Sequence, residues 1–208
     1  HFIDRIIIAT STNENDNELE EYALAKDVSF FRGCEENVLS RFYECAKKFN
    51  LETIIRITAD DPFKDPDVIK NAYDVYTNGN YDYVSNTIKP TYPEGIDIEI
   101  FKFSVLEKAF ENAHLASETE HVTPYIWKNP DIFKIKNIEA EKDYSNIRIT
   151  VDYEDDYNLA KKVLRNFYPD ILFGYKSIVS FIEGLNLQNN IERNEGYKKS
   201  LKEDLNGS

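Results

Sequence analysis

The chain has 208 residues, of which 41% are hydrophobic and 13% aromatic, which is enough apolar material for one well-packed domain over residues 1–208. Its formal net charge of −13 disfavours nucleic acid and anionic membranes as partners, because phosphate groups are bound through clustered Lys and Arg. No stretch reaches the roughly 18 consecutive apolar residues of a membrane span, and the amino terminus lacks a signal-peptide pattern. We therefore expect a cytoplasmic protein.

Predicted strands and helices alternate along the first part of the chain. Strands are predicted at residues 4–10, 28–31, 53–58 and 81–86, and helices at residues 35–49 and 65–78. Residues 11–26 are predicted to be a polar loop that enters an amphipathic helix. Asp65 precedes Pro66, which is the usual pairing of a helix cap with a first-turn proline. This alternation favours an α/β fold with a mostly parallel, twisted sheet covered by helices.

The second half of the chain is predicted to add further strands and helices to the same fold. Strands are predicted at residues 92–101, 132–140 and 148–152, and helices at 104–113, 117–129 and 157–167, followed by two more helical pieces. The helix at 117–129 is expected to be interrupted or to begin near Pro124. The strand at 148–152 is expected to complete the sheet.

One short phrase, Arg-Ile-Thr-x-Asp, occurs twice, at residues 56–60 and 148–152. Each copy places its aspartate, Asp60 or Asp152, at the carboxyl end of a predicted strand, where ligands of open α/β sheets gather. Two such carboxylates would suit a hard cation such as Mg²⁺, which prefers oxygen ligands and phosphates. The alternative is that each aspartate only caps the helix that follows it.

Seven segments, spread over about residues 4–204, share a likeness to one family. In order they read FRGCEENVLSRFYECA, RITADDPFKDPDVI, YDYVSN, YPEGIDIEIF, SETEHVTPYI, RITVDYEDDYNL and IERNEGYKKSL. Together they resemble the spore coat polysaccharide biosynthesis protein F type of cytidylyltransferase, which is related to the acylneuraminate and KDO cytidylyltransferases. The resemblance implies a nucleotide-diphospho-sugar transferase-like (Rossmann-like) fold and magnesium-dependent transfer of CMP from CTP to a sugar or sugar acid, with release of pyrophosphate. It also implies a homodimer.

The same resemblance assigns catalytic and metal-binding roles to the two repeated aspartates. The stretch ADDP places Asp60 at the family's first metal aspartate, and VDYEDD places Asp152 at its second metal carboxylate. Asp61 departs from the family's usual neighbour and is expected to make the local charge more negative. Tyr153 and Glu154 replace a threonine-proline pair, so the turn after Asp152 is expected to differ.

The family's glycine-rich, basic loop, which wraps the nucleotide triphosphate, has no counterpart in the 208 residues. Glycine backbone and cationic side chains are the usual binding elements for a polyphosphate. The chain contains no Met and begins a few residues before its first predicted strand. We therefore expect the family's first strand and loop to precede residue 1 in the native protein.

Four residues in the middle of the chain are candidates for substrate binding. Asp97 and Glu99 alternate with isoleucines, so they belong either to the solvated face of a strand or to a surface that contacts sugar hydroxyls. Glu94 precedes Gly95 in a turn whose glycine would allow the backbone to approach a ligand. Asn86 ends the strand at 81–86 and is a candidate for the acceptor site.

His121 and three arginines are further candidates, each with a structural alternative. His121 would bind the acceptor or serve acid-base chemistry, or it is structural. Arg32 follows a short strand and would contact the nucleotide or remain on the surface. Arg56 and Arg148 lie four residues before Asp60 and Asp152, and ion pairing with these aspartates is favoured over contact with phosphate.

Two other functions remain open at the level of sequence. A metal-dependent nucleotide-sugar glycosyltransferase would have a related topology, and Asp97-Ile98-Glu99 comes close to the Asp-x-Asp triplet that such enzymes use. A non-catalytic binding or assembly subunit would explain why the phosphate loop is missing from the sequence.

Overall fold

A computed structural model describes residues 2–185 and 195–206 of the chain. These residues divide into two compact units. Unit 1 contains residues 2–54, 102–130 and 195–206, and unit 2 contains residues 55–101 and 131–185. The start of the segment IERNEGYKKSL, residues 191–194, lies outside the described residues.

Strands and helices follow one another as an α/β protein requires. Along the chain they are β1 (Ile7–Ser11), α1 (Asn17–Ala25), β2 (Ser29–Gly33), α2 (Val38–Lys48), β3 (Thr53–Arg56), α3 (Pro66–Gly79), β4 (Tyr83–Ser85), β5 (Glu99–Lys102), α4 (Phe103–Asn112), α5 (Ala116–His121), α6 (Pro124–Trp127), β6 (Ile135–Asn137), α7 (Glu154–Phe167), α8 (Tyr175–Gly184) and α9 (Glu195–Asn206). Within the described residues, none of these helices is both long enough and apolar enough to cross a membrane.

Unit 1 is built on a two-stranded parallel sheet covered by α2. Strands β1 and β2 pair in register from Ile7 opposite Ser29 to Ser11 opposite Gly33. Helix α2 contacts both strands and also packs on α4 and α5. Its apolar residues recur at the helical spacing of about 3.6, and Leu39, Cys45 and Ala46 among them are buried.

Unit 2 contains most of a four-stranded sheet with the order β3-β5-β4-β6. Strand β4 pairs in parallel with β6 and antiparallel with β5, so this sheet is mixed. Helix α3 packs on β4 and begins as predicted, with Asp65 Oδ1 accepting from the main-chain N–H of Asp67 at 2.8 Å. The predicted α/β class is confirmed, with helices flanking sheets that contain parallel pairs.

The prediction of a regular strand at residues 148–152 is wrong. Only Arg148 forms a bridge, which is parallel and pairs it with Glu94. Ile149 still donates to Glu94 O, but Val151 donates to Asp60 O and Asp152 donates to a side-chain carboxylate. The strand predicted at 92–101 is also shorter, because β5 begins only at Glu99.

Candidate functional site

The loop after β3 carries two adjacent aspartates in opposite environments. Asp60 is exposed, and no side-chain hydrogen bond or ion pair joins it to another described residue. Asp61 is 7% exposed and accepts hydrogen bonds from Thr58 Oγ1 at 2.8 Å and from Lys64 Nζ at 2.6 Å. Lys64 also donates to the main-chain oxygen of Asp97. The extra negative charge expected at Asp61 is therefore offset by Lys64, and this ion pair anchors the loop that presents Asp60.

The second Arg-Ile-Thr-x-Asp phrase lies directly beside this loop. The main-chain N–H of Val151 donates to Asp60 O at 2.8 Å, and Thr150 Oγ1 donates to the same oxygen at 3.2 Å. Asp152 follows Val151 in the chain, and its side chain is 43% exposed. The structure thus brings the two repeated aspartates into one region of unit 2, although they are 92 residues apart in sequence.

Arg148 connects Asp152 to two buried carboxylates. Its guanidinium forms ion pairs with Glu94 at 3.2 Å, with Asp156 at 3.1 Å, and with Asp152. Arg148 is only 6% exposed, and its Nε also donates to Asp156 Oδ1 at 3.3 Å. We name these four residues the Arg148 cluster. The favoured ion pair between Arg148 and Asp152 is confirmed, whereas the one favoured between Arg56 and Asp60 is wrong, because Arg56 pairs with Glu99 instead.

Asp156, in the first turn of α7, fixes the backbone at Asp152. Its Oδ2 accepts the main-chain N–H groups of Asp152 at 3.0 Å and Tyr153 at 3.1 Å. Burial favours the protonated Asp156 carboxyl, but the hydrogen bonds from Arg148 and from these two N–H groups outweigh burial and lower its pKa. Burial also disfavours charge on Arg148, but its hydrogen bonds to Asp156 and Asp152 raise its pKa. Asp156 and Arg148 are therefore both ionised at neutral pH.

The predicted turn at Glu94 and Gly95 packs against the chain itself. Gly95 has φ +106°, and a Cβ there would lie 2.8 Å from the main-chain nitrogen of Thr150. Glu94 is 8% exposed, because its backbone pairs with Ile147 and Ile149 and its carboxylate pairs with Arg148. The close backbone approach expected toward a ligand is thus directed at residues 149–150.

Three other predicted substrate-binding residues of unit 2 make contacts within the fold. Glu99 is buried, accepts from Tyr83 Oη at 2.6 Å and forms an ion pair with Arg56, so the alternative of a solvated strand face is wrong for this residue. Asn86 is fully buried, and its amide bonds the main chain on both sides of Asp97. Asp97 itself is half-buried.

The two remaining predicted residues belong to unit 1. Arg32 Nε donates to Ser11 O at 2.8 Å, and its terminal nitrogens bind Asn13 O, Asn17 and Glu20. This guanidinium therefore organises the loop between β1 and α1. His121 ends α5, and its Nε2 lies 3.0 Å from the Oγ of Ser200, which joins α5 to α9.

Asp156 and Lys64 are the residues of this region that the sequence prediction missed. A signal existed for Asp156, because an acidic residue in the first turn of an amphipathic helix commonly accepts main-chain N–H groups at the helix start. Lys64 gave no comparable signal, since its pairing with Asp61 depends on how the loop after β3 turns.

The exposed aspartates suit a cation that takes only part of its coordination from protein. Among residues 2–185 and 195–206, no group of three or more His, Cys, Asp and Glu side chains is arranged to hold a metal ion. Asp60 and Asp152 would thus be the acidic protein ligands, with ligand oxygens and water completing the shell. Mg²⁺ is commonly bound in this way, through one or two carboxylates. The donor set therefore fits Mg²⁺.

Solved structures resemble this fold. A cytidylyltransferase from Leptospira borgpetersenii serovar Hardjo-bovis superposes with a TM-score of 0.82 and 31% identity, over 89% of this chain and 79% of that one. Molybdopterin-guanine dinucleotide biosynthesis protein A from Archaeoglobus fulgidus gives a TM-score of 0.50 at 14% identity, over 73% and 75% of the two chains, and shows the fold alone.

Sequence comparisons point to the same family. An uncharacterised protein of Methanocaldococcus jannaschii is 35% identical over 186 residues, which are 87% of this chain and 74% of the relative. Spore coat polysaccharide biosynthesis protein SpsF of Bacillus subtilis is 30% identical over 166 residues, or 76% and 66% of the two chains. The predicted resemblance is confirmed, and a family model described as cytidylyltransferase matches residues 1–196. The chain therefore belongs to the cytidylyltransferase family of nucleotidyltransferase enzymes.

Proposed function

We propose that the chain transfers CMP from CTP to a hydroxyl group of a sugar or sugar acid, in a magnesium-dependent reaction that releases pyrophosphate and serves surface polysaccharide biosynthesis. Membership of the family supports the donor, and the name of the Bacillus subtilis relative supports the pathway. The hydrogen bond from Val151 to Asp60 carries the proposal, because it sets the exposed carboxylates of Asp60 and Asp152 in one region of unit 2.

The charge of this region supports a requirement for a divalent cation. In the Arg148 cluster, three carboxylates against one guanidinium leave two negative charges, and Asp60 adds a third. Such a region repels a triphosphate unless a cation lies between them. Mg²⁺, when bound, would supply positive charge to the phosphate oxygens and to the attacking hydroxyl.

In this mechanism the side chains of the protein bind the cation and position the reactants. Asp60 and Asp152 hold the cation, and Arg148 and its buried partners hold Asp152 in place. In phosphoryl-type transfers the protein acts mainly by positioning the reactants and offsetting charge. We therefore assign no side chain as a general base.

The family match supports nucleotidyl transfer over the glycosyltransferase alternative and over a purely binding or assembly role. The contacts of Arg32 and His121 described above lie within unit 1 and do not define a substrate. The predicted homodimer and cytoplasmic location stay predictions.

Thermal stabilisation by nucleotides tests the proposal without knowledge of the acceptor. A ligand that binds only the native state raises stability by RT ln(1 + [L]/Kd), so even a weak site is detected at high ligand concentration. We expect CTP with Mg²⁺ to raise Tm more than UTP, ATP or GTP, and CTP without Mg²⁺ to give little shift. Asp60→Asn and Asp152→Asn should each remove the magnesium-dependent part.

Asp155→Asn is the matched control. Asp155 is an exposed aspartate in the first turn of α7, close to Asp152 in the chain, and its replacement also removes one formal negative charge. This variant should keep the full shift with CTP and Mg²⁺. A normal shift in Asp60→Asn and Asp152→Asn would contradict the proposed site. Pyrophosphate release from CTP with a panel of sugars and sugar acids then identifies the acceptor.

A further inference from the structure

Asp156 reaches Asp152 by two separate routes. Through its Oδ2 it accepts the main-chain N–H of Asp152 itself, at 3.0 Å. Both of its carboxylate oxygens also accept hydrogen bonds from the Arg148 guanidinium, which in turn forms an ion pair with Asp152 Oδ2. One buried carboxylate therefore constrains both the backbone and the side chain of Asp152.

This arrangement exceeds what capping of α7 requires. A helix cap of this kind needs only acceptance of main-chain N–H groups at the helix start. Asp156 also engages two nitrogens of Arg148 with its two oxygens, in the forked geometry that fixes a guanidinium in orientation. Arg148 is 6% exposed and Asp156 is 5% exposed, so neither group has the freedom of a surface pair.

Because three carboxylates share Arg148, Asp152 also keeps negative charge with which to bind a cation. Glu94 and Asp156 already engage the guanidinium, so its positive charge is divided among three carboxylates. The ion pair to Asp152 uses Oδ2, while the side chain is 43% exposed and keeps Oδ1 for a cation. Removal of the Asp156 charge would direct more of the Arg148 charge to Asp152 and would release the turn at residues 152–153.

We propose that Asp156 is a positioning residue of the cation site, which sets the affinity of Asp152 for the metal through Arg148 and through the backbone. This inference rests on the proposed function, because it takes Asp152 as a ligand of the cation. Partners that orient a metal ligand commonly change metal affinity or activity by roughly 10–100-fold when they are removed. Asp156 is thus expected to act on metal affinity more than on the rate at saturating metal.

The test compares Asp156→Asn with Asp155→Asn, neighbouring changes that each remove one negative charge. The primary readout is the Mg²⁺ concentration that gives half of the CTP-induced Tm shift, and the second is kcat for pyrophosphate release at saturating Mg²⁺. Asp156→Asn should raise the half-saturating Mg²⁺ concentration by roughly 10–100-fold, as expected for loss of such a partner. Its kcat at saturating Mg²⁺ should stay close to that of the wild type. Asp155→Asn should change neither readout.

A purely structural role gives a different pattern. Asp156→Asn would then lower the Tm of the ligand-free protein, while the half-saturating Mg²⁺ concentration stays at the wild-type value, and this result would overturn the inference. Asp152→Asn distinguishes failure of this inference from failure of the proposed cation site. If it removes the magnesium-dependent shift while Asp156→Asn leaves Mg²⁺ affinity unchanged, only the inference fails; if Asp152→Asn also keeps the shift, the proposed site fails.

Arg148→Lys provides a second variant if Asp156→Asn does not fold. Lysine keeps the positive charge but lacks the planar fork that bridges two carboxylates. The half-saturating Mg²⁺ concentration should rise in this variant as well. An unchanged half-saturating Mg²⁺ concentration in Arg148→Lys would overturn the inference independently of the result for Asp156→Asn.

Discussion

The two Arg-Ile-Thr-x-Asp phrases have the same pattern but different surroundings. In the first, Arg56 forms its ion pair with Glu99 of a neighbouring strand, and Asp60 is exposed on a loop. In the second, Arg148 forms its ion pair within the phrase, with Asp152, and also binds two buried carboxylates. One aspartate is thus presented by a loop alone, whereas the other is held by a charged cluster.

This difference shows what a short sequence pattern determines and what it leaves to the fold. The pattern places each aspartate after an extended segment. The partner of each arginine depends on the neighbouring segments, which are β5 for Arg56 and the residue 94 turn with α7 for Arg148. The two phrases are therefore expected to contribute alike to cation binding and unlike to stability.

The largest predicted effect is on turnover, and it should be similar for both phrases. A metal ion contributes several kcal/mol of charge stabilisation in such reactions, which is about a thousandfold in rate. Asp60→Asn and Asp152→Asn should each reduce turnover by this order, as measured by pyrophosphate release. Urea unfolding should separate them, because Asp60→Asn removes no ion pair with a described residue and Asp152→Asn does. Equal losses of stability would contradict the comparison.

Replacement of the two arginines tests the difference in surroundings. Removing one partner of a buried ion pair typically costs about 3–5 kcal/mol, because the other charge stays buried. Arg148→Met removes the ion pairs of two buried carboxylates, Glu94 and Asp156, whereas Arg56→Met removes the ion pair of one, Glu99. Urea unfolding at pH 7 should show the greater loss for Arg148→Met. A greater loss for Arg56→Met would show that the Arg148 cluster is not the stronger anchor.

The pH dependence of stability gives a smaller and more specific effect. The folded pKa of Asp156 lies below its ordinary value of 3.8, so ionised Asp156 stabilises the fold at neutral pH. This contribution is fully present above the unfolded-state pKa of about 3.9 and is lost as pH falls through the folded pKa. The difference in unfolding free energy between wild type and Asp156→Asn should be constant from neutral pH to about pH 5 and shrink below pH 4. A difference that grows on acidification would contradict the ionised state assigned to Asp156.

Much of the fold was predictable because local patterns determine it. The helix over residues 38–48 follows from its apolar spacing, and α3 begins at the Asp65-Pro66 pair. Residues 148–152 were predicted incorrectly because a β-branched segment is also compatible with an extended loop. The main chain of Asp60, a contact that no local pattern reveals, and the side chain of Asp156 take the hydrogen bonds that a strand would have used.

The site was predictable in its exposed members and less so in its buried ones. Asp60 and Asp152 were found from the repeated phrase, and the structure brings their segments into contact. Glu94 and Glu99 are each part of a buried ion pair, which depends on tertiary contacts. The role of Asp156 becomes visible only when Arg148 and the turn at residues 152–153 are seen together.

The most direct test of one shared cation site is a double-substitution cycle on Asp60 and Asp152. The apparent Kd of CTP at a fixed Mg²⁺ concentration, obtained from Tm titrations, is compared for Asp60→Asn, Asp152→Asn and the combined variant. If both carboxylates hold the same ion, the loss in the combined variant should be clearly smaller than the product of the two single losses, because contacting groups are not additive. If the two losses multiply, the aspartates act independently, and the shared magnesium site is contradicted.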